Sequence, residues 1–237
     1  MTTICIIPAR GGSKRIPRKN SRPFLSAPIL AWSIRAALES GLFDEIMVST
    51  DDDEMADLAR TYGAVVPFMR SETTAHDYAT TAAVLAEVLA EYASRGRVFA
   101  RACCLYATAP LATPERLREA FDKLAEGGFD TVFPVVRYGF PVQRAVVFQA
   151  DRLVWREPQH ALSRSQDLEP VYHDAGQFYA FDVPAFLQTG LLLTPNSGGI
   201  ELSELETQDI DTLTDWHLAE LKHQLLFSGH AAPRPVG

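Results

Sequence analysis

Strand and helix signals alternate along the first 136 residues, and that alternation limits the fold more than any other feature of the sequence. Apolar runs at Ile4–Ile7, Glu45–Thr50, Val65–Phe68, Arg101–Tyr106 and Thr131–Val136 read as buried strands. Between them Pro28–Glu39, Asp51–Tyr62, His76–Arg95 and Pro114–Glu126 read as helices, with Pro28 at a first turn and Gly41 just past an end. This βαβα order implies an α/β chain with a mostly parallel sheet covered by helices on both faces, a three-layer α/β/α arrangement. The rhythm changes after about Arg137. Val146–Phe148 and Leu153–Trp155 read as two short strands around a turn near Asp151, and Phe178–Phe181 as another. The main fold resumes near Ile200 and closes with a helix over Thr212–Phe227. We therefore expect a single domain over residues 1–228, a small β-rich excursion over about 138–180 that shapes a pocket and a dimer contact, and a flexible tail over 229–237.

The first strand runs directly into Arg10–Arg22 (R-G-G-S-K-R-I-P-R-K-N-S-R), which holds six of the 22 Lys and Arg residues of a chain with formal net charge −8. A cationic, glycine-containing loop at the carboxyl end of a strand lies where open α/β sheets bind ligands. Gly11 and Gly12 let backbone N–H groups approach phosphate oxygens without a Cβ in the way. Arg10, Lys14 and Lys19 can supply charge-assisted hydrogen bonds. The loop is neither a P-loop nor a dinucleotide fingerprint, because the residues after Gly12 supply neither spacing.

Composition narrows the partners. Net acidity argues against nucleic-acid binding, and the concentration of positive charge in one loop suits a small anionic ligand. Cys5, Cys103 and Cys104 lie in strand-like runs without zinc spacing and read as buried free thiols in a reducing compartment. No run approaches the ~20 apolar residues of a membrane span, and the four-residue apolar run near the N-terminus ends at Pro8, unlike a signal peptide. The expected location is cytoplasmic, with no membrane partner.

Asp209 and Asp211 admit two readings. In a strand, a spacing of two puts both carboxylates on one face, and a hard divalent cation such as Mg²⁺ would relieve their repulsion. Alternatively Asp211 caps the helix that begins beside it. His173 and Asp174 are adjacent, and adjacent strand residues point to opposite faces, so they are not expected to form a catalytic dyad. Gln177 and Tyr179 would share a face with His173. Asp51-Asp52-Asp53-Glu54 reads as a helix N-terminus favoured by the macrodipole rather than as a second metal site.

The pattern P-A-R-G-G-S-K-R-I-P-x-K-N resembles the cytidylyltransferases that activate acidic sugars, the CMP-sialic acid synthetase group. Further stretches carry the resemblance over roughly residues 3 to 226: C-C-L-Y-A-T-A-P (Cys103–Pro110), G-F-P-V-Q-R-A (Gly139–Ala145), S-R-S-Q-D-L-E (Ser163–Glu169), Y-H-D-A-G-Q-F-Y (Tyr172–Tyr179) and Q-D-I-D-T-L-T-D-W (Gln208–Trp216). These stretches look like the branch that acts on pseudaminic acid. The resemblance implies a Rossmann-like nucleotidyltransferase fold, a homodimer, CTP and an acidic nonulosonic sugar as substrates, and Mg²⁺ as cofactor held by Asp209 and Asp211. It implies a nucleotide site of Ala9, Arg10, Gly11, Gly12, Ser13, Lys14, Lys19, Asn20, Arg70, Thr108 and Pro110. Arg10, Lys14, Lys19, Asp209 and Asp211 would be catalytic. Tyr106, Gln143, Arg144, Arg164, His173, Gln177 and Tyr179 would hold the sugar, with Arg144 or Arg164 facing its carboxylate unless Arg164 serves a dimer salt bridge. The sialic acid branch usually reads L-Q-P-T-S-P where this chain has L-Y-A-T-A-P, and the missing Gln counts against N-acetylneuraminic acid. Legionaminic acid, N-acetylneuraminic acid and Kdo stay open as sugars. A sugar kinase or phosphatase, or a non-catalytic nucleotide-binding module, are the readings from other classes.

Overall fold

The computed structural model describes residues 2–12, 15–76, 78–228 and 232–236. In chain order its elements are β1 (Thr3–Pro8), the small hairpin β2 (Pro23–Phe24) and β3 (Ala27–Pro28), α1 (Ile29–Ser40), β4 (Glu45–Ser49), α2 (Asp53–Thr61), α3 (Glu72–Ala75), α4 (Thr81–Ser94), β5 (Arg101–Leu105), α5 (Pro114–Gly127) and β6 (Thr131–Arg137). There follow β7 (Val146–Gln149), β8 (Arg152–Trp155), β9 (Tyr172–Asp174), β10 (Phe178–Asp182), α6 (Val183–Thr189), β11 (Ser197–Leu202) and α7 (Leu213–Leu226). The central sheet runs β11-β6-β10-β5-β1-β4, with β9 also paired to β6. Five strands are parallel, and β9 and β10 run against them.

The period of two along β1 builds the layers. Cys5 and Ile7 pack with Leu30 and Ile34 of α1, Ala56 of α2 and Phe121 of α5. Ile4 and Ile6 pack on the opposite side with Leu85, Val88 and Tyr92 of α4 and Phe186 of α6. A strand buried on both faces has no polar side to show, which is why β1 reads as an unbroken apolar run. A third cluster closes one end of the molecule and joins Ile16, Phe24 and Trp32 to Ile210 and Trp216. All three cysteines are buried and free, and burial pushes the Cys103 and Cys104 thiols up.

Several boundaries differ from those expected. The segment Val65–Phe68 is not a strand: Val65 makes one parallel bridge to Met47, and Pro67 has no N–H to extend it. The helix expected from His76 begins at Thr81, where the Thr80 side chain accepts the Ala83 N–H at 3.1 Å. Helix α6 was not expected, and His173 and Asp174, read as strand residues, lie in β9, a strand separate from β10. The excursion holds the β7–β8 hairpin as a separate two-stranded sheet. Part of the expected flexible tail is docked: the Val236 N–H donates to the Thr61 carbonyl at 2.8 Å, and its side chain fits over Gly63.

Candidate active site

The cationic loop leaves β1 beside the start of α2 and is held there by the acidic run 51–54. Asp52 caps α2 by accepting the Met55 N–H at 2.9 Å. Asp51 Oδ1 accepts the Gly11 N–H at 3.1 Å, and Arg18 pairs with Glu54. A Cβ at Gly11 would sit 2.6 Å from Asp52 Oδ2, whereas one at Gly12 would meet nothing within 4 Å. The two glycines therefore serve different ends: Gly11 fits against α2, and Gly12 borders open space. The Asn20 amide donates to the Arg10 carbonyl at 3.0 Å and braces the loop from within. Ile16, the one isoleucine among the loop's cations, is fully buried and anchors it. Ser13 and Lys14 lie outside the described residues.

The same anchor reaches the two aspartates. Ile210 is buried in the cluster that holds Ile16 and Trp216, so its neighbours Asp209 and Asp211 are fixed to either side of an apolar peg. The Ile210 carbonyl accepts from Lys19 Nζ at 2.6 Å, which ties loop and aspartate segment together. This segment is irregular rather than a strand, so the burial of Ile210 and not strand alternation orients the pair. The helix cap is Thr212, not Asp211: Thr212 and Asp215 form a reciprocal capping box at the start of α7. Burial pushes the Lys19 ammonium below its ordinary value, against the opposing pull of Asp211 and Asp209. Arg15 Nη1 lies 2.6 Å from Asp211 Oδ2. Among the described residues no group of three His, Cys, Asp or Glu could hold a metal. Two carboxylates are nonetheless a donor set that fits Mg²⁺, which takes hard oxygen ligands and fills its other positions with phosphate oxygens and water.

Arg10, Gly12, Arg15, Lys19, Asn20, Arg70, Tyr106 and Thr108 line one cleft of about 580 Å³, together with Thr74, His76, Tyr78 and Thr81. Arg70 enters it from the segment before α3 and is held against the end of β4, where its Nε donates to Ser49 Oγ at 3.0 Å and its Nη2 to the Ser49 carbonyl at 2.5 Å. Burial pushes the Arg70 guanidinium below its ordinary value, and Asp51 and Glu87 oppose that. Ala9 is buried behind the cleft, with its N–H donating to the Ser49 carbonyl at 2.9 Å. Pro110 stands apart from this cleft and lines a smaller cavity of about 140 Å³ with Trp32, Arg35 and His223.

The expected sugar residues divide into two groups. Tyr106 lines the cleft, and Tyr179 and Gln177 stand behind it on and just before β10. Gln177 is buried, donates to the Glu206 carbonyl at 2.5 Å, and its Oε1 has no hydrogen-bond partner among the described residues. His173 does not share a face with them. A turn at Ala175–Gln177, with Gly176 at φ +66°, ends β9 and starts β10, leaving His173 exposed against Tyr138 at 4.9 Å. The His173 ring bonds to the Asp174 carbonyl rather than its carboxylate, so the two form no dyad. Gln143, Arg144 and Arg164 also lie off the cleft. Gln143 donates to the Glu169 carbonyl at 2.9 Å, Arg144 to Ser165 Oγ at 3.3 Å, and Arg164 pairs within the chain with Asp167 at 2.7 Å. Burial leaves Gln143 Oε1 and Arg144 Nε without hydrogen-bond partners among the described residues.

The basic loop lines one side of this cleft and is joined through Lys19 to the segment that carries the two aspartates, and comparison with known proteins settles the family. The family described as "Cytidylyltransferase" matches residues 4–208. The chain belongs to this family. It is 39% identical over 226 residues, 95% of this chain and 97% of the other, to the pseudaminic acid cytidylyltransferase of Campylobacter jejuni. It is 31% identical to the CMP-N,N'-diacetyllegionaminic acid synthase of Legionella pneumophila, over 93% of this chain and 95% of that one. Among solved structures, CMP:2-keto-3-deoxy-manno-octonic acid synthetase complexed with CTP superposes with a TM-score of 0.66, covering 96% of this chain and all of that chain at 16% identity. That likeness supports the Rossmann-like nucleotidyltransferase architecture. The chain is thus a nucleotidyltransferase of the cytidylyltransferase family. Sequence reading did not find the roles of Arg15, Ile16, Thr81 and the Asp51–Asp52 brace. Only Ile16 leaves a trace in the sequence, as an apolar residue in a run of cations.

Proposed function

We propose that this enzyme transfers CMP from CTP to pseudaminic acid and releases pyrophosphate. The observation that carries the reading is the joining of the basic loop to the Asp209–Asp211 segment through Lys19 and the shared burial of Ile16 and Ile210. The relatives named for pseudaminic acid, at 39% and 40% identity over nearly the whole chain, support the sugar. The anomeric oxygen attacks the α-phosphorus in line. A new P–O bond forms as the bond between the α-phosphorus and the oxygen bridging to the β-phosphate breaks, pyrophosphate departs, and the proton of the anomeric hydroxyl passes to solvent. Arg10, Lys14 and Lys19 neutralise charge that builds on the α-phosphate and the leaving group, and Arg70 contributes to the nucleotide pocket with Asn20 and Thr108. The protein's work is positioning and charge stabilisation rather than covalent catalysis. Asp209 and Asp211 would hold Mg²⁺, which supplies charge neutralisation and acidifies a hydroxyl at the reacting centre.

The proposal includes a cytoplasmic homodimer. Three buried free thiols suit a reducing compartment. No helix among the described residues is long and apolar enough to cross a membrane. The excursion exposes Phe140, Phe148, Leu153 and Leu162, which supports it as the dimer face.

Mass spectrometry of the products tests the reaction. Incubation with CTP, Mg²⁺ and pseudaminic acid yields CMP-pseudaminic acid and one pyrophosphate per turnover. A phosphorylated sugar with CDP, or orthophosphate alone, would mean a kinase or phosphatase instead. Nucleotide binding without any product would mean a binding module.

A further inference from the structure

Between Thr207 and Thr212 the segment that carries Asp209 and Asp211 has neither helix nor strand, so its backbone carbonyls need partners from other elements. Side chains supply them. Lys222 Nζ, on α7, donates to the Glu204 carbonyl at 2.7 Å and to the Thr207 carbonyl at 2.8 Å. Gln177 Nε2, from the turn before β10, donates to the Glu206 carbonyl at 2.5 Å, and the Thr207 hydroxyl donates to the Ala175 carbonyl at 2.8 Å. Past Asp209, Lys19 Nζ holds the Ile210 carbonyl at 2.6 Å. The Asp211 N–H donates to Asp215 Oδ2 at 3.1 Å. Gln208 and Asp209 are thus bracketed by two carbonyls, each held by an ammonium. Burial pushes the Lys222 ammonium below its ordinary value, against the opposing pull of Glu204.

We propose that Lys222 is a positioning residue for the metal: it grips the chain on one side of Asp209 while Lys19 grips the other, and so presets the Asp209 carboxylate to take a divalent cation. Lys222 does not line the cleft and acts through the Thr207 carbonyl. Gln177 steadies the same stretch through Glu206. The sign of the effect separates this role from simple proximity. An ammonium that is only a neighbour repels a dication, so deleting its charge tightens metal binding. An ammonium that holds the ligand's backbone in place has the opposite effect, and its deletion weakens metal binding. An ordinary stability role predicts a third pattern, a lower melting temperature with metal affinity unchanged in the folded protein.

This inference rests on the reading of Asp209 and Asp211 as the metal's ligands, and titration of the full chain with Mn²⁺ alone separates the two. The six-line electron paramagnetic resonance signal of free Mn²⁺ reports how much is bound, with no turnover involved. The parent is expected to bind Mn²⁺ and Asp209→Asn to lose it. Lys222→Met keeps the aliphatic stem and loses both donors, and its Kd for Mn²⁺ rises about tenfold, the scale of one hydrogen bond from a charged group. Lys222→Arg, whose guanidinium can donate to two carbonyls, stays within about threefold of the parent. Circular dichroism checks that each variant is folded at the titration temperature. If Lys222→Met is not, Gln177→Met, which loses only the grip on Glu206, carries the test with a rise of about threefold. With Asp209→Asn impaired, an unchanged or tighter Kd in the variant that carries the test, or no rescue by Lys222→Arg, would overturn the inference and leave the metal site standing. A parent that binds no Mn²⁺, or an Asp209→Asn that binds it as the parent does, overturns both.

Discussion

Adjacent glycines at the head of the basic loop show how far single residues differ in task. A methyl group at Gly11 runs into Asp52 Oδ2 at 2.6 Å, and Asp52 cannot withdraw without giving up the cap of α2. Gly11→Ala is therefore expected to lower the melting temperature, on the scale of a lost cap at about 1 kcal/mol. Gly12→Ala meets nothing within 4 Å and leaves the melting temperature unchanged, yet it raises the KM for CTP about tenfold if a phosphate oxygen must approach that backbone. A differential scan and a CTP titration on the two variants check both halves. Lys19 joins the two halves of the site, as Arg15 does through Asp211, and its partial burial means that its charge is already partly out of water before the substrate arrives. Lys19→Ala is expected to lower kcat about a hundredfold, as loss of one preorganised charge donor does. A kcat within a few-fold of the parent would show that Lys19 does not stabilise the transition state.

At the scale of elements, the loop and the aspartate segment behave as one unit because their apolar residues share a cluster. Ile210→Ala removes the peg between Asp209 and Asp211. It is expected to cost about 2–5 kcal/mol in denaturant unfolding and to raise the KM for CTP, because Lys19 loses a fixed carbonyl partner. The elements themselves were largely legible in the sequence. Strands β1, β4, β5 and β6 and helices α1, α2, α5 and α7 fall close to the spans their apolar runs and caps predict, since burial and capping are local signals. The hairpin β7–β8 was legible for the same reason. What the sequence could not show depends on contacts distant in the chain: Asp51 holding Gly11, Arg15 paired with Asp211, and the break between β9 and β10 that takes His173 away from Gln177 and Tyr179. An Asp-x-Asp spacing looks like a strand face until a buried Ile210 shows another way to orient the pair. Pro110 illustrates the converse, since its neighbour Thr108 lines the cleft while the chain carries Pro110 into the cavity under α1 and α7.

For the whole molecule, the exposed apolar side chains of the excursion point to association. Phe148 is 76% exposed on a two-stranded hairpin, a poor structure to leave alone in water. Light scattering at micromolar concentration is expected to give twice the chain mass, and Phe148→Asp to give the monomer mass. Parent protein that scatters as a monomer would contradict the dimer. The proposed reaction is the transfer of CMP to one particular acidic sugar at the cleft lined by the basic loop. Pyrophosphate release with CTP and Mg²⁺, measured against pseudaminic, legionaminic, N-acetylneuraminic acid and Kdo in parallel, tests it most directly. The account predicts release with pseudaminic acid at a kcat/KM well above the other three. Release fastest with one of the others, or with none of them in folded protein, would contradict it.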